Sequence, residues 1–210
     1  MATRNAPARK PAKKITSSRK TSSSRTPPSR ASSSRTPQSQ QRSATQAAVQ
    51  QISPCLWFDS QAEDAARFYV SIFKSAKITA ILRYPPVGQE IHGREPGSVM
   101  TVEFVLNGLP FTALNGGPVF KFNEAVSLQV FCANQDEIDY YWEKLGDGGD
   151  PKARQCGWLK DRFGLSWQIV PNDMPKFFKD PDSQATQRAF AAMMQMKKID
   201  IAALRKAFRG

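Results

Sequence analysis

The stretch SVMTVEFVLNGLPFTALNGGP, residues 98–118, constrains the fold of this chain more than any other. Apolar residues occupy every second position from Met100 to Leu106, which is the period expected of a strand with one buried face. Asn107-Gly108 then supplies two residues that tolerate positive φ, as a type I′ turn requires, and a second apolar run follows from 109 to 114. The stretch therefore predicts a β-hairpin that ends at the NGGP run.

The positive charge of the chain is concentrated in its first 51 residues. The chain has 210 residues and a formal charge of +12, and residues 1–51 hold eleven Lys or Arg without any Asp or Glu. Subtracting these eleven from 30 basic residues leaves 19 basic against 18 acidic residues in 52–210. Residues 1–51 also contain few large apolar side chains and repeat SSSRTP at 22–27 and 32–37. We therefore expect a disordered basic tail ahead of a nearly neutral folded part.

Three interpretations of the tail stay open at this level. Lys and Arg that pair with phosphates release counterions, so residues 1–51 suit attachment to nucleic acid or another polyanion. The same composition suits a solubilising extension without any partner. Abundant Arg and Ser without acids is also typical of a transit peptide, although Pro27, Pro28 and Pro37 break the amphipathic helix that such a peptide needs.

Residues 52–210 are enough for one domain, and their composition excludes several classes of protein. No apolar run approaches the ~20 residues of a membrane helix, and no signal-peptide core precedes the domain. Cys55, Cys132 and Cys156 are odd in number, widely spaced and without a CxxC pair, which argues against a disulfide framework or a structural zinc site. We therefore expect a cytoplasmic protein with no membrane partner.

The hairpin completes a first module with the order strand, helix and three strands. Residues 52–58 alternate as a strand, and Ser60 with Glu63 has the S-x-x-E spacing of a capping box at the start of an amphipathic helix. A further strand is predicted at 78–84, before the hairpin.

The same order recurs in the second half of the chain. A strand is predicted at 125–132, a helix capped by Asn134 and Glu137 follows it, and two short strands fall around 150–160. A last strand covers 164–171. The chain therefore contains two βαβββ modules, which indicates an internal duplication.

After Pro171 the pattern becomes helical. Short and longer helices are predicted at 173–178 and 183–197, and Asp200 caps a last one. We thus divide the chain into the tail at 1–51, a domain at 52–171 and a helical extension at 172–210.

Four strings carry a resemblance to a known family: SPCLWFDSQAEDAARFY, GSVMTVEFVLNGLPFTALNGGP, YYWEKL and CGWLKDRFGLSWQIVP. In this order they resemble the PhnB-like branch of the vicinal oxygen chelate superfamily, the relatives of glyoxalase and bleomycin-resistance proteins. The resemblance covers about 52–171 and implies an α+β fold whose paired βαβββ modules form a cupped mixed sheet. It also implies a homodimer with a small-molecule ligand in the cup. Proteins of this kind often carry the label 3-demethylubiquinone-9 3-methyltransferase.

Enzymes of this superfamily commonly hold a divalent metal with His and Glu side chains. The resemblance places the ligand positions near Ser53, Ser127, Gln168 and, in the fourth strand, Leu114 or Asn115. None of these residues is a His or a carboxylate, and neutral hydroxyls and amides bind divalent metals weakly. We therefore predict no tightly held metal and no other cofactor, with a divalent metal as the alternative.

The predicted ligand site lies on the more polar side of the strands. Glu103 is the only charged member, and it is a candidate general base if it is buried, or a surface ion-pair partner if it is not. Cys55 is a candidate nucleophile, but no adjacent base is evident, so packing is favoured. The ligand-binding candidates, besides Glu103, are Ser53, Cys55, Trp57, Thr101, Asn115, Ser127, Gln129, Ser166 and Gln168.

These observations leave the question of enzymatic activity open and favour a metal-independent binding protein for a small ligand. A metal-dependent isomerase, lyase or dioxygenase is the first alternative, and a nucleic-acid-associated protein that attaches through its tail is the second. Methyl transfer from S-adenosylmethionine is not predicted, because the chain has no strand–GxGxG–helix stretch that opens a doubly wound sheet.

Overall fold

The computed structural model describes residues 52–210, and the predicted tail lies outside them. The first module contains β1 (Cys55–Phe58), α1 (Ala62–Ile72), β2 (Ala76–Arg83), α2 (Gln89–His92), β3 (Val99–Leu106) and β4 (Leu109–Asn115). The second module contains β5 (Ser127–Cys132), α3 (Gln135–Gly146), β6 (Trp158–Lys160) and β7 (Ser166–Pro171). Three helices follow: α4 (Met174–Phe177), α5 (Gln184–Met194) and α6 (Ile201–Arg209). Within this part of the chain no helix combines the length and apolar character that crossing a bilayer demands.

The first module forms a four-stranded mixed sheet with the order β1-β4-β3-β2, in which only β1 and β4 are parallel. The hairpin prediction is confirmed, because β3 and β4 pair antiparallel and Leu106 faces Leu109 across the turn. Asn107 and Gly108 have φ values of 47° and 87°, the positive angles that a type I′ turn needs. The first strand is shorter than predicted, since it begins at Cys55 and not at residue 52.

The capping box predicted for α1 is wrong. Ser60 does not cap the helix, whose N-cap position is Gln61 without a side-chain hydrogen bond. The free backbone N–H of Ala62 instead donates a 2.8 Å hydrogen bond to Oδ1 of Asn115, at the end of β4. A residue 53 positions away therefore accepts the hydrogen bond from a free backbone N–H in the first turn of α1.

The second module forms a sheet of three strands with the order β5-β7-β6. The cap predicted for α3 is confirmed, since the side chain of Asn134 accepts from the backbone N–H of Glu137. Only one of the two strands expected around 150–160 is present: β6 is preceded by a short 3-10 helix, Pro151–Ala153, and a single bridge at Gln155. The duplication is therefore a βαβββ module followed by a module with one strand fewer.

The two modules share one hydrophobic core, to which each sheet contributes the face that carries its helix. Tyr69 of α1 stacks on Phe104 of the first sheet, with ring centroids 6.2 Å apart, and also contacts Trp167 of the second sheet at 5.5 Å. The C-terminal helices join the same core through Ile199, Leu204 and other buried side chains. The extension at 172–210 thus packs on the domain, although the predicted boundary between the two stays a prediction.

A buried carboxylate connects the modules at the centre of this core. Asp161, in the turn between β6 and β7, is 2% exposed and accepts from the Tyr69 hydroxyl and the Trp167 indole N–H, each at 2.8 Å. The backbone N–H groups of Phe163 and Leu165 donate to its other oxygen. Burial raises the pKa of Asp161, and these hydrogen bonds to the carboxylate oppose the rise.

Candidate functional site

We call the side of each sheet that is turned away from the helices its open face. On the first sheet, the register aligns three side chains of this face: Cys55 lies opposite Thr112, and Thr112 lies opposite Glu103. Directly opposite residues in a sheet have Cβ atoms about 4.5–5.5 Å apart. The structure therefore places two of the predicted site residues, Cys55 and Glu103, in one row, with Thr112 between them.

A second row runs beside the first. Trp57 lies opposite Leu114, Leu114 opposite Thr101, and Thr101 opposite Leu82. Trp57, Thr101 and Leu114 are half-buried, and Leu82 is 47% exposed. This row forms an apolar platform, since Thr101 is its only polar member.

Trp57 is held in a fixed orientation on this platform. Its indole N–H donates a 2.8 Å hydrogen bond to the carbonyl of Gly117, and its ring contacts the edge of Phe120 with centroids 5.0 Å apart. A methyl group at Gly116 would overlap the indole ring, so only glycine leaves room for this orientation. An aromatic side chain that is fixed before a ligand arrives loses little entropy on binding it.

The two candidate reactive groups of the open face are not activated in the isolated chain. Glu103 is exposed, and within 52–210 no Lys or Arg lies within 4.0 Å of its carboxylate. Partial burial raises the pKa of the Cys55 thiol, which keeps it neutral near pH 7. Cys55, Cys132 and Cys156 are all free, and burial raises the pKa of Cys132 to about 12. This arrangement suits ligand binding better than covalent chemistry.

The open face of the second sheet carries a polar row. Gln129 lies opposite Gln168 and Ser127 opposite Ser166 on the parallel strands β5 and β7. Gln129 donates to Gln168 at 3.2 Å, and Gln168 donates to the Ser127 hydroxyl at 2.8 Å. Four predicted site residues thus lie together, three of them in one chain of hydrogen bonds.

Two predicted site residues lie apart from these faces. Ser53 precedes β1, is exposed, and donates to the Pro110 carbonyl at 2.9 Å. Asn115 lies on the helix side of β4, where it is 6% exposed; its oxygen accepts from Ala62 and its amide donates to the Val99 carbonyl at 3.0 Å. Asn115 therefore has a structural role at the start of α1, and the open-face position in this strand belongs to Leu114.

The residues at the expected metal positions do not fit a divalent metal. Ser53, Ser127 and Gln168 are neutral and already hydrogen-bonded to other residues of the chain, and Leu114 has no donor atom. In the part of the chain that the structure describes, no three His, Cys, Asp or Glu side chains lie close enough together to hold a metal ion. Tight binding of a divalent metal needs imidazole or carboxylate donors, which the residues at these positions do not supply.

Two cavities lie next to the sheets. One of about 930 Å³ is enclosed by the end of the β3–β4 hairpin, β5 and α3, and Gln129 is the predicted site residue among its lining. The other, of about 390 Å³, adjoins β6, and its lining includes Ser166, Trp158, Lys160 and Glu124. Sequence reasoning did not include the last three in the site. The alternation of Trp158-Leu159-Lys160 was the available signal, since it places Trp158 and Lys160 on one side of a strand.

Comparison with known proteins gives one family and several similar structures. Residues 50–170 match the family model described as 3-demethylubiquinone-9 3-methyltransferase. The PhnB protein from Bacillus cereus is 34% identical over 58% of this chain and 99% of its own, with a TM-score of 0.49. Protein PA1353 from Pseudomonas aeruginosa is 20% identical over 58% and 97%, with a TM-score of 0.45. Lactoylglutathione lyase from Agrobacterium tumefaciens is 11% identical over 59% and 93%, with a TM-score of 0.32. Among curated proteins, none matches the chain.

Proposed function

The chain belongs to the 3-demethylubiquinone-9 3-methyltransferase family, in the PhnB-like branch of the vicinal oxygen chelate superfamily, and we propose that it binds a small ligand without a tightly held metal. The ligand lies on the open faces of the two sheets, which carry most of the predicted site residues. The observation that carries the proposal is the platform of Trp57, Leu114 and Leu82 beside the polar row of Cys55, Thr112 and Glu103. Apolar walls with a few hydrogen-bonding groups are the usual composition of a small-molecule site.

A second copy of the chain would enclose this site. The open faces expose large apolar side chains, including Leu82 at 47% and Phe131 at 60%, which monomers seldom leave in contiguous patches. Covering them in a homodimer removes apolar surface from water and buries Glu103 beside the ligand. We therefore propose a homodimer as the binding form.

We do not propose methyl transfer for this chain, although the description of the family includes that activity. In the described residues, β1 passes to α1 through Asp59, Ser60 and Gln61, and β5 passes to α3 through Ala133 and Asn134, so neither turn contains glycine. The sheets are not doubly wound, and no phosphate or cofactor cradle of the kind such a turn supplies is present there.

Native mass spectrometry of the full chain, combined with elemental analysis of the same gently purified sample, tests the proposal. We expect a dimer that retains an organic mass and carries far less than one Zn, Mn, Fe or Ni per subunit. The retained mass identifies the ligand directly. A monomer without any retained mass, or a dimer with one metal per subunit, contradicts the proposal.

Two matched variants locate the ligand. Trp57→Ala removes the fixed ring of the open face, and we expect it to lose the retained mass. Phe68→Ala removes a half-buried ring of α1, on the opposite side of the first sheet from its open face, and we expect it to keep the mass. Loss in both variants, or in neither, places the ligand elsewhere.

A further inference from the structure

Ser166 has a buried hydroxyl that no described residue satisfies. The residue is 1% exposed, and its Oγ makes no hydrogen bond to any described residue. A buried polar group without a partner costs about 1–3 kcal/mol, so native proteins seldom keep one without a reason. Because Ser166 lines the cavity of about 390 Å³ beside β6, a molecule in that cavity can supply the missing partner.

The side chain directly opposite Ser166 is a cation. Lys160 of β6 and Ser166 of β7 are paired in antiparallel register, and both line the same cavity. Side chains at such positions start about 4.5–5.5 Å apart, so the ammonium and the hydroxyl can reach one small anionic group together. One end of the cavity therefore combines a positive charge with a free hydrogen-bonding group.

In the ligand-free protein, the Lys160 ammonium already forms an ion pair with a carboxylate. Glu124, from the segment between β4 and β5, forms an ion pair with Lys160. The Lys160 side chain is 25% exposed, whereas that of Glu124 is 64% exposed and free to turn into solvent. The hydrogen bond from Lys160 lowers the pKa of Glu124, so Glu124 is ionised near pH 7 and competes for the ammonium.

The remaining walls of the cavity are largely apolar. Trp158, Ala153 and Cys156 face it, with Gln155 at its rim. Gln155 and Cys156 are fixed in place, since the Gln155 amide donates to the Met194 carbonyl at 2.7 Å and the Cys156 backbone N–H to the Met196 carbonyl at 2.8 Å. A volume of about 390 Å³ lies at the small end of the range for small-molecule sites.

We propose that this cavity binds a small monocarboxylate with a short aromatic or aliphatic body. Its carboxylate accepts from the Lys160 ammonium and the Ser166 hydroxyl and displaces Glu124, while its body lies against Trp158 and Ala153. The proposal rests on the proposed function, whose open faces include Ser166, and it names the chemical class of the ligand.

Calorimetric titration of the full-length protein tests this assignment. Benzoate and hexanoate are the probes, and benzyl alcohol is the neutral match for benzoate. We expect both carboxylates to bind and benzyl alcohol to bind at least about tenfold more weakly, because a neutral hydroxyl has no negative charge to pair with the Lys160 ammonium in place of Glu124.

Three variants should change the affinity for benzoate, two by lowering it and one by raising it. Lys160→Met keeps most of the length of the side chain without its charge and should weaken benzoate binding at least about tenfold. Ser166→Ala should weaken it about three- to tenfold and leave the free protein no less stable, because the removed hydroxyl had no partner. Glu124→Gln removes the competing carboxylate and should tighten benzoate binding several-fold. Lys77→Met on β2 and Ser71→Ala on α1 are the matched controls in the first module, and both should leave the affinity for benzoate unchanged.

Each outcome separates this proposal from the proposed function. Equal binding of benzoate and benzyl alcohol, or no tightening in Glu124→Gln, overturns the carboxylate proposal. Benzoate binding that is lost in Trp57→Ala but kept in Lys160→Met also overturns it, while the open-face function stands. If neither probe binds while native mass spectrometry still finds a retained mass that depends on Trp57, the carboxylate proposal is wrong and the binding function is right.

Discussion

The hydroxyl of Tyr69 donates a 2.8 Å hydrogen bond to Oδ2 of Asp161, a residue 92 positions later in the sequence. Tyr69 is fully buried on α1 of the first module, and Asp161 is buried in the β6–β7 turn of the second. The two modules are therefore joined by a polar contact in the middle of an apolar core, where a missing partner is costly.

Asp161→Asn should lower the free energy of unfolding by about 3–5 kcal/mol. The carboxylate accepts four hydrogen bonds, and an asparagine places an N–H₂ donor against two of the four donors. Urea unfolding measures the change. Asp147→Asn, at an exposed ion pair with Arg162, is the control and should change stability by less than about 1 kcal/mol. Equal small losses in both variants would show that the buried network contributes little.

The stability difference between the natural protein and Asp161→Asn should shrink as the pH rises. Because the pKa of Asp161 is raised in the folded protein, the folded state keeps this proton at pH values where the unfolded chain has released it. The part of the stability that comes from this bound proton is therefore full below the unfolded pKa of about 3.9 and is lost as the pH rises through the folded pKa. Urea unfolding of both proteins between about pH 4 and about pH 7 measures the difference, because their shared surface carboxylates cancel. A difference that grows with pH contradicts the raised pKa.

Asn115→Ala should destabilise the protein by about 2 kcal/mol, because it leaves the Ala62 N–H and the Val99 carbonyl without their partner. Ser60→Ala is the matched control: Ser60 has the capping-box spacing in the sequence but does not cap α1, so its loss should cost less than about 0.5 kcal/mol. Thermal or urea unfolding distinguishes the two. A larger loss of stability in Ser60→Ala than in Asn115→Ala would show that Ser60, and not Asn115, caps α1.

Gly116→Ala should destabilise the protein by about 1–3 kcal/mol, because the added methyl group overlaps the Trp57 ring. The same change in a Trp57→Ala background should be close to neutral, since the ring is then absent. This double-mutant cycle isolates the contact between the two positions. Additive losses of stability in the double variant would mean that glycine is needed at position 116 for its backbone conformation and not to leave room for the Trp57 ring.

We propose that residues 1–51 bind a polyanion through their eleven Lys and Arg residues. Replacing all eleven by Gln in the full chain should abolish retention on duplex DNA and remove the salt dependence. For B-DNA, log K falls with log salt by about 0.9 for each phosphate neutralised, so the slope counts the contacts. Unchanged retention in the substituted chain would assign DNA binding to another surface or to none.

The parts of the fold that the sequence predicted are those specified by local chemistry. Asn107-Gly108 determines its own turn, and Asn134 reaches the Glu137 N–H within one turn of helix. The cap of α1 was missed because Asn115 approaches from β4, which no local pattern reveals. The second module lacks a strand because Pro151 and its neighbours form a 3-10 helix where the pattern had suggested extended chain.

The candidate site was predictable in part for the same reason. Alternation placed Trp57, Thr101 and Glu103 on one face, since side-chain direction follows sequence position in a strand. The pairing of Lys160 with Ser166 depends on register between two strands, and the orphaned hydroxyl depends on packing. Neither quantity is local, so the smaller cavity became visible only in three dimensions.

The parallel pairing of β1 with β4 also has a consequence for biosynthesis. Cys55 leaves the ribosome 57 residues before Thr112, the residue it faces, since 112 minus 55 is 57. At about 5–20 residues per second this interval lasts about 3–11 s, during which β1 has no strand to pair with. β2 and β3 pair with each other and can do so before β4 is synthesised. The strand that carries Cys55 and Trp57 must instead wait for β4, the last strand of its sheet to be synthesised.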